Sequence, residues 1–169
     1  MKSSVNTIRS VKQGSTGLLA GVVLLMKVSG ALAQLPELTY PSTLSGAETS
    51  AKFFAGATAD NGVTYASSFT EDQSVDVLTA IEVEASHVNS VGNLYILVVV
   101  DEQIFMVQES GDYVLWDSVL ESLQPVSSNK TLQASEPLTL FDDVAFGTVG
   151  VTDTALDVYL AYDTIVEPD

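Results

Sequence analysis

The chain has no cysteine, a single histidine, a single tryptophan and only six basic side chains among its 169 residues. Without cysteine there is no disulfide framework, no thiolate zinc site and no thiol nucleophile. One imidazole, His87, excludes a multi-histidine metal cage. Six bases against 22 acids leave a formal net charge of −16, the wrong sign for a surface that tracks phosphates, so nucleic acid is not an expected partner. Also missing are a G-x-S-x-G nucleophile elbow, a glycine-rich phosphate loop, a D-x-[DN]-x-[DN]-G calcium loop and any internal repeat of fixed period. An apolar content of 46% is nevertheless too high for an intrinsically disordered acidic chain.

The few bases are unevenly placed. Lys2, Arg9, Lys12 and Lys27 fall in residues 1–33, which hold no acid. Residues 34–169 keep Lys52 and Lys130 against all 22 acids, a net charge near −20. The first segment is cationic at its start and then runs apolar from Gly17 to Met26. It ends on Ala31-Leu32-Ala33, a small-x-small cleavage pattern. An apolar run of that length spans roughly 15 Å as a helix, about half a bilayer core. These features predict a secretory signal peptide over 1–33, cut between Ala33 and Gln34, with an uncleaved anchor as the alternative. No Cys follows the apolar run to carry a lipid. The longest later apolar run, Leu94–Val100, suits a strand and not a membrane span. The expected product is secreted or extracytoplasmic (periplasm or cell surface), with no membrane span in its mature form.

Residues 34–51 are rich in Pro, Ser and Thr and read as a linker or edge segment. From Lys52 to the C-terminus the pattern is that of strands. Val75, Val77, Thr79, Ile81, Val83 and Ala85 share one face of a period-two segment, with Asp76, Glu82 and Glu84 on the other. Leu94–Val100 is apolar on both faces. A hairpin through Asp101-Glu102 leads into Gln103–Gln108, and Tyr113–Trp116 follows a Gly-Asp break. Asp117–Leu123 reads as one helical turn capped by Asp117, with Leu120 and Leu123 inward, stopped by Pro125. Lys130–Ala134, Leu138–Phe141 and Ala155–Tyr162 complete about seven or eight short strands, the last with Leu156, Val158, Leu160 and Tyr162 inward. This predicts an all-β domain over 52–169, an antiparallel β-sandwich of Ig-like type. A closed barrel is the alternative.

The chemistry-bearing candidates are few. His87 would have to serve any Ser/His/Asp arrangement, yet no nucleophile is marked and the residue reads as a loop-packing histidine. The carboxylate pairs Glu71-Asp72, Asp101-Glu102 and Asp142-Asp143 read as solvated acidic turns, because neighbours on a strand point to opposite faces. Asp101-Glu102, Asp112 and Asp142-Asp143 are the turns from which a calcium ion would draw ligands. Trp116 reads as a core anchor, with a sugar platform as the alternative. Asn129-Lys130-Thr131 is a glycosylation sequon, relevant only in a host that modifies asparagine. No residue is therefore assigned as catalytic, cofactor-binding or metal-binding, and no cofactor is expected, calcium being the one open possibility.

The doubly apolar Leu94–Val100 strand needs a cover on its second side. Residues 34–70 are the expected cover. A protein partner or a second copy of the chain is the alternative.

Several of these segments together resemble a family. Asn93–Val98, Phe105-Met106, Trp116-Asp117 with Leu120 and Leu123, Lys130-Thr131-Leu132, and Val158–Tyr162 resemble a β-sandwich module of exported bacterial surface and adhesin-like proteins. Phe53–Gly56 and Asp60-Asn61-Gly62 are similar to it as well. The resemblance covers most of 52–163 and rests on packing and turn residues. It implies an extracytoplasmic interaction or structural role in adhesion, matrix or filaments, with no catalytic residue to carry over. A calcium- or carbohydrate-binding module is the alternative function.

The charge near −20 opposes compaction until salt screens it, and the Debye length falls to a few ångströms near 1 M. The melting temperature of residues 34–169 is expected to rise between about 0.01 and 0.5 M NaCl. A flat or falling profile counts against self-repulsion as a destabilising force.

Overall fold

A computed structural model describes residues 34–39, 41–43 and 48–164. The leader, including Ala33 of the expected cleavage site, lies outside the described residues, and Gln34 is exposed. The strands are β1 (Lys52–Thr58), β2 (Ser74–Glu82), β3 (Val91–Val100), β4 (Gln103–Val107), β5 (Tyr113–Leu115), β6 (Ser127–Thr131), β7 (Ser135–Ala145) and β8 (Leu156–Thr164). Short 3-10 turns occupy Ala85–His87, Leu120–Ser122 and Phe146–Val149. Among the described residues no helix is long and apolar enough to cross a membrane.

The strands form two antiparallel sheets. The smaller has the order β1-β2-β7. The larger is built around β3. Strand β8 pairs with β3 from Gly92 to Val100. Strand β6 pairs with it at Val91–Leu94, and β4 at Leu97–Val100. Because β8 occupies one whole edge, β4 and β6 lie end to end along the other, and β5 extends the sheet beyond β4. Among the described residues no ladder joins the two sheets, so the arrangement is sandwich-like and not a closed barrel.

The alternation read from the sequence marks the core. On β2, Val75, Val77, Thr79 and Ile81 are buried, with Val83 just beyond the strand. On β3 the buried set is Leu94, Ile96 and Val98, and on β8 it is Leu156, Val158, Leu160 and Tyr162. These side chains join one cluster between the sheets. Each large aliphatic residue buried there contributes roughly 1.5–3 kcal/mol of transfer free energy. Thr79 is the polar exception, and its hydroxyl donates to the Leu138 carbonyl at 3.1 Å.

The second face of β3 carries Asn93, Tyr95, Leu97 and Val99, all half-buried. Its cover differs from the expected one. The described part of residues 34–70 lies against β1 instead. Ala55 N–H donates to Pro36 O at 3.1 Å, Leu38 N–H to Phe53 O at 2.7 Å, and Ala66 N–H to Ala57 O at 2.9 Å. These bonds blunt the free edge of β1, which would otherwise pair with another chain. Gly56 makes room for the Tyr65 ring there, since a Cβ at that position would run into it. Over β3 the cover comes from the β5–β6 connection. Met106 stands opposite Leu97, is buried, and its sulfur accepts the Gln124 N–H at 3.4 Å.

Turn chemistry accounts for the corners. Asp101 (φ 48°) and Glu102 (φ 65°) are both left-handed, the geometry of a two-residue I′ hairpin turn. The turn expected at 117–123 is present as a 3-10 turn at Leu120–Ser122. Asp117 is not its cap: Val119 holds the N-cap position without a side-chain cap bond, and Asp117 braces the approach by accepting Val119 N–H at 3.0 Å and the Ser122 hydroxyl at 2.5 Å. Leu120 does not pack inward: it is 49% exposed, because a single 3-10 turn is too short to present an inner face. The two short strands expected near 130–141 are β6 and the longer β7. Pro137 sits in β7 without harm because β7 is an edge strand.

Both lysines of the described chain are paired, in unequal surroundings. Lys52 Nζ lies 3.9 Å from Glu82 with both side chains half-exposed. Lys130 Nζ lies 3.1 Å from Glu136, whose side chain is 3% exposed. The other Glu136 oxygen accepts Gln133 N–H at 2.7 Å. Lys130→Met is expected to cost about 2–3 kcal/mol by urea unfolding, since it strands a buried carboxylate whose partner was partly solvated. Adding Glu136→Gln should recover most of that loss. Lys52→Met should change stability by less than about 0.5 kcal/mol.

Candidate functional site

His87 lies in the 3-10 turn after β2. Its Nδ1 is 2.9 Å from the Tyr162 hydroxyl and 3.7 Å from Glu84 Oε2, and its ring meets the Tyr162 ring edge-on. The Tyr162 hydroxyl also accepts Glu84 N–H at 3.3 Å, while Glu84 Oε1 accepts the Ser50 hydroxyl at 3.2 Å. Burial pushes the Tyr162 phenol up from its ordinary value. The serine thus touches the glutamate, not the imidazole. The cluster closes one end of the core.

The acidic turns are dispersed. Asp101 accepts the Thr154 hydroxyl. Asp112 accepts the Ser110 hydroxyl at 2.7 Å, and Asp143 accepts that of Ser74 at 2.5 Å. Asp72 accepts the Thr70 hydroxyl at 2.8 Å, within its own turn. Among the described residues no three His, Asp or Glu side chains converge as metal ligands. Asp76 and Asp142 share an open groove of about 510 Å³ on the outer face of the smaller sheet, with Asn61, Leu78, Thr139 and Leu140. Asp76 Oδ1 is occupied there by Asp143 N–H at 2.8 Å.

Two polar knots had no signature in the sequence. Asp163 takes the Asn93 N–H and side-chain amide and the Tyr95 hydroxyl at 2.8–2.9 Å, which ties the end of β8 to β3. Burial, with Asp163 alongside, pushes the Tyr95 phenol well up. Asp60 organises the turn after β1. Its Oδ1 accepts the Thr58 hydroxyl at 2.7 Å and Thr64 N–H at 2.8 Å, and Oδ2 accepts the Thr64 hydroxyl at 2.7 Å.

The feature that most resembles a site is apolar. Trp116 is half-exposed and stands outside the core cluster, so it is not the expected core anchor. Its indole N–H is satisfied locally, by Val119 O at 3.0 Å and the Ser122 hydroxyl at 3.1 Å. Near it in the chain Tyr113, Val114, Leu115, Val119 and Leu120 are all exposed, Leu115 most of all at 58%, with Val114 on the opposite face of the sheet from Tyr113 and Leu115. Tyr113 bridges the layers: its hydroxyl donates to Leu140 O at 2.8 Å and its ring stacks on Phe141 with centroids 5.5 Å apart. Gln108 N–H bonds Asp112 O, and Trp116 N–H bonds Ile104 O. By antiparallel alternation Val114 therefore faces β4, and the N–H and C=O groups of Tyr113 and Leu115 point away from the sheet. Among the described residues nothing pairs with that edge. The sequence carried a hint, three apolar residues between Asp112 and Trp116-Asp117, but an inward Leu120 concealed the patch.

Hydrogen bonds from Thr64, through its side chain first and then its backbone, and from Thr58 hold Asp60 down at about 2. A depressed carboxyl favours the folded state above its unfolded value near 4, and that contribution is lost as pH falls through about 2. A carboxyl-carbon NMR titration is expected to place the Asp60 midpoint near 2, and Thr64→Val should raise it. An unchanged midpoint in the variant would refute this assignment of the cause.

No protein-family model matches the chain, and neither a curated protein nor a solved structure matches it.

Proposed function

We propose that the chain is a secreted, non-enzymatic interaction or structural protein that acts at or beyond the cell surface, in adhesion, matrix or a filament. The observation that carries this reading is the run of exposed apolar residues within 113–120, on and beside a sheet edge that is unpaired among the described residues, in a strongly acidic chain. An apolar patch of this kind is costly in water and marks association. The leader-like 1–33 supplies the address in this reading, and the Ig-like sandwich the scaffold. The outer face of β3, with half-buried Tyr95, Leu97 and Val99, is a second contact surface within the 94–100 strand. Both edges of that strand are already paired, so contact there is through side chains. The calcium- or carbohydrate-binding alternative gains no specific geometric support from the dispersed acids or the locally satisfied indole.

The reading is tested by photo-crosslinking on the producing cells. A benzophenone side chain at Leu115 of the full chain is expected to give a discrete higher-mass adduct of the form beginning at Gln34. The same probe at Val149, also exposed and apolar, should give none. Equal labelling at both positions, or none at either, removes the interaction reading.

A further inference from the structure

Resting on that reading, we propose that the β5 edge receives an extended segment of another protein, apolar in its middle and carrying a Lys or Arg at each end. The inference concerns partner chemistry and has three supports. First, the outward backbone groups of Tyr113 and Leu115 offer donors and acceptors in the alternation that an added strand satisfies. Second, exposed Leu115 on one face of the edge and Val114 on the other give apolar surface beside those groups, which a polar segment leaves wet. Third, the edge is bracketed by carboxylates. Asp112 precedes β5 and Asp117 follows it, five positions apart, or roughly 17 Å along an extended strand.

Charge chooses between a foreign segment and a second copy. Lys52 and Lys130, the only bases among the described residues, are bound to Glu82 and Glu136. Antiparallel pairing of two β5 edges brings the Asp112 end of one copy beside the Asp117 end of the other. Like charges in that arrangement oppose association, whereas a base at each end of a foreign strand meets a carboxylate. Asp112 and Asp117 are both exposed, each with hydrogen bonds from its own turn. The edge is short, so main-chain bonds supply register and the apolar contact supplies most of the affinity.

The probe is a capped hexapeptide, Lys-Val-Thr-Ile-Val-Lys, titrated against the full-length chain with Trp116 fluorescence as the readout. Saturable binding is expected, weakening several-fold on going from about 0.05 to 0.5 M NaCl. A Glu-ended peptide should bind at least about ten-fold more weakly, and one N-methylated at alternate amides should not bind. Asp112→Lys should weaken the Lys-ended peptide and strengthen the Glu-ended one. Leu115→Lys should abolish binding with an unchanged circular dichroism spectrum, since Leu115 is already exposed. Equal binding of all peptides, or indifference to both substitutions, overturns the proposal. So does concentration-dependent dimerisation lost in Leu115→Lys, which assigns the edge to a second copy. If Leu115 crosslinks on cells while the peptides fail, the interaction reading stands and the cationic-strand chemistry falls. Failure of both removes the two together.

Discussion

One strand is apolar on both faces, and the architecture follows from enclosing it. Strand β3 places Leu94, Ile96 and Val98 in the core, carries Tyr95, Leu97 and Val99 behind, and has both edges taken. A strand apolar on both faces is stable only at the centre of a sheet with material on each side. Strand β8 meets the requirement along one edge and β4 with β6 along the other. The smaller sheet closes over the inner face, and the connection after β5 runs over Met106 on the outer one.

Charge imposes the second constraint. With two bases in residues 34–169, the acids cannot neutralise one another in pairs. Hydroxyl and amide donors take them up, at turns for Asp60 and Asp117 and within β8 for Asp163. At Asp60 and Asp117 such local hydrogen bonds favour the ionised carboxylate without a cation. Glu136 is the exception that shows the rule: buried, it takes one of the two lysines. A chain this acidic and without cysteine draws its stability from the core, and its surface favours partners of opposite sign.

Edges connect these constraints to function. The edge of β1 is blunted by Pro36–Leu38 and Ala66, and β7 carries Pro137 and a bulged register against β2. Strand β5 has neither device, and its side chains are apolar. The outer edges of β6 and β8 also pair with no strand among the described residues, so β5 is set apart by its exposed apolar side chains as well as by a bare edge, and bare edges invite pairing.

Residue order alone disclosed the period-two faces of β2 and β8, the doubly apolar β3, the Asp101-Glu102 hairpin and the cationic, then apolar, first segment. Each of these is a local regularity that reports which side of a strand meets water. The same reading could not see that Leu120 faces outward, that Glu136 is buried beside Lys130, or that His87 leans on Tyr162, 75 positions away. It could not tell that residues 36–38 guard β1 while Gln124 lies against Met106. Those are matters of which strand pairs with which and which edges remain bare. Pairing joins residues far apart in the chain through backbone groups that nearly all amino acids share, so it leaves no mark in side-chain order and is decided only when the sheets assemble.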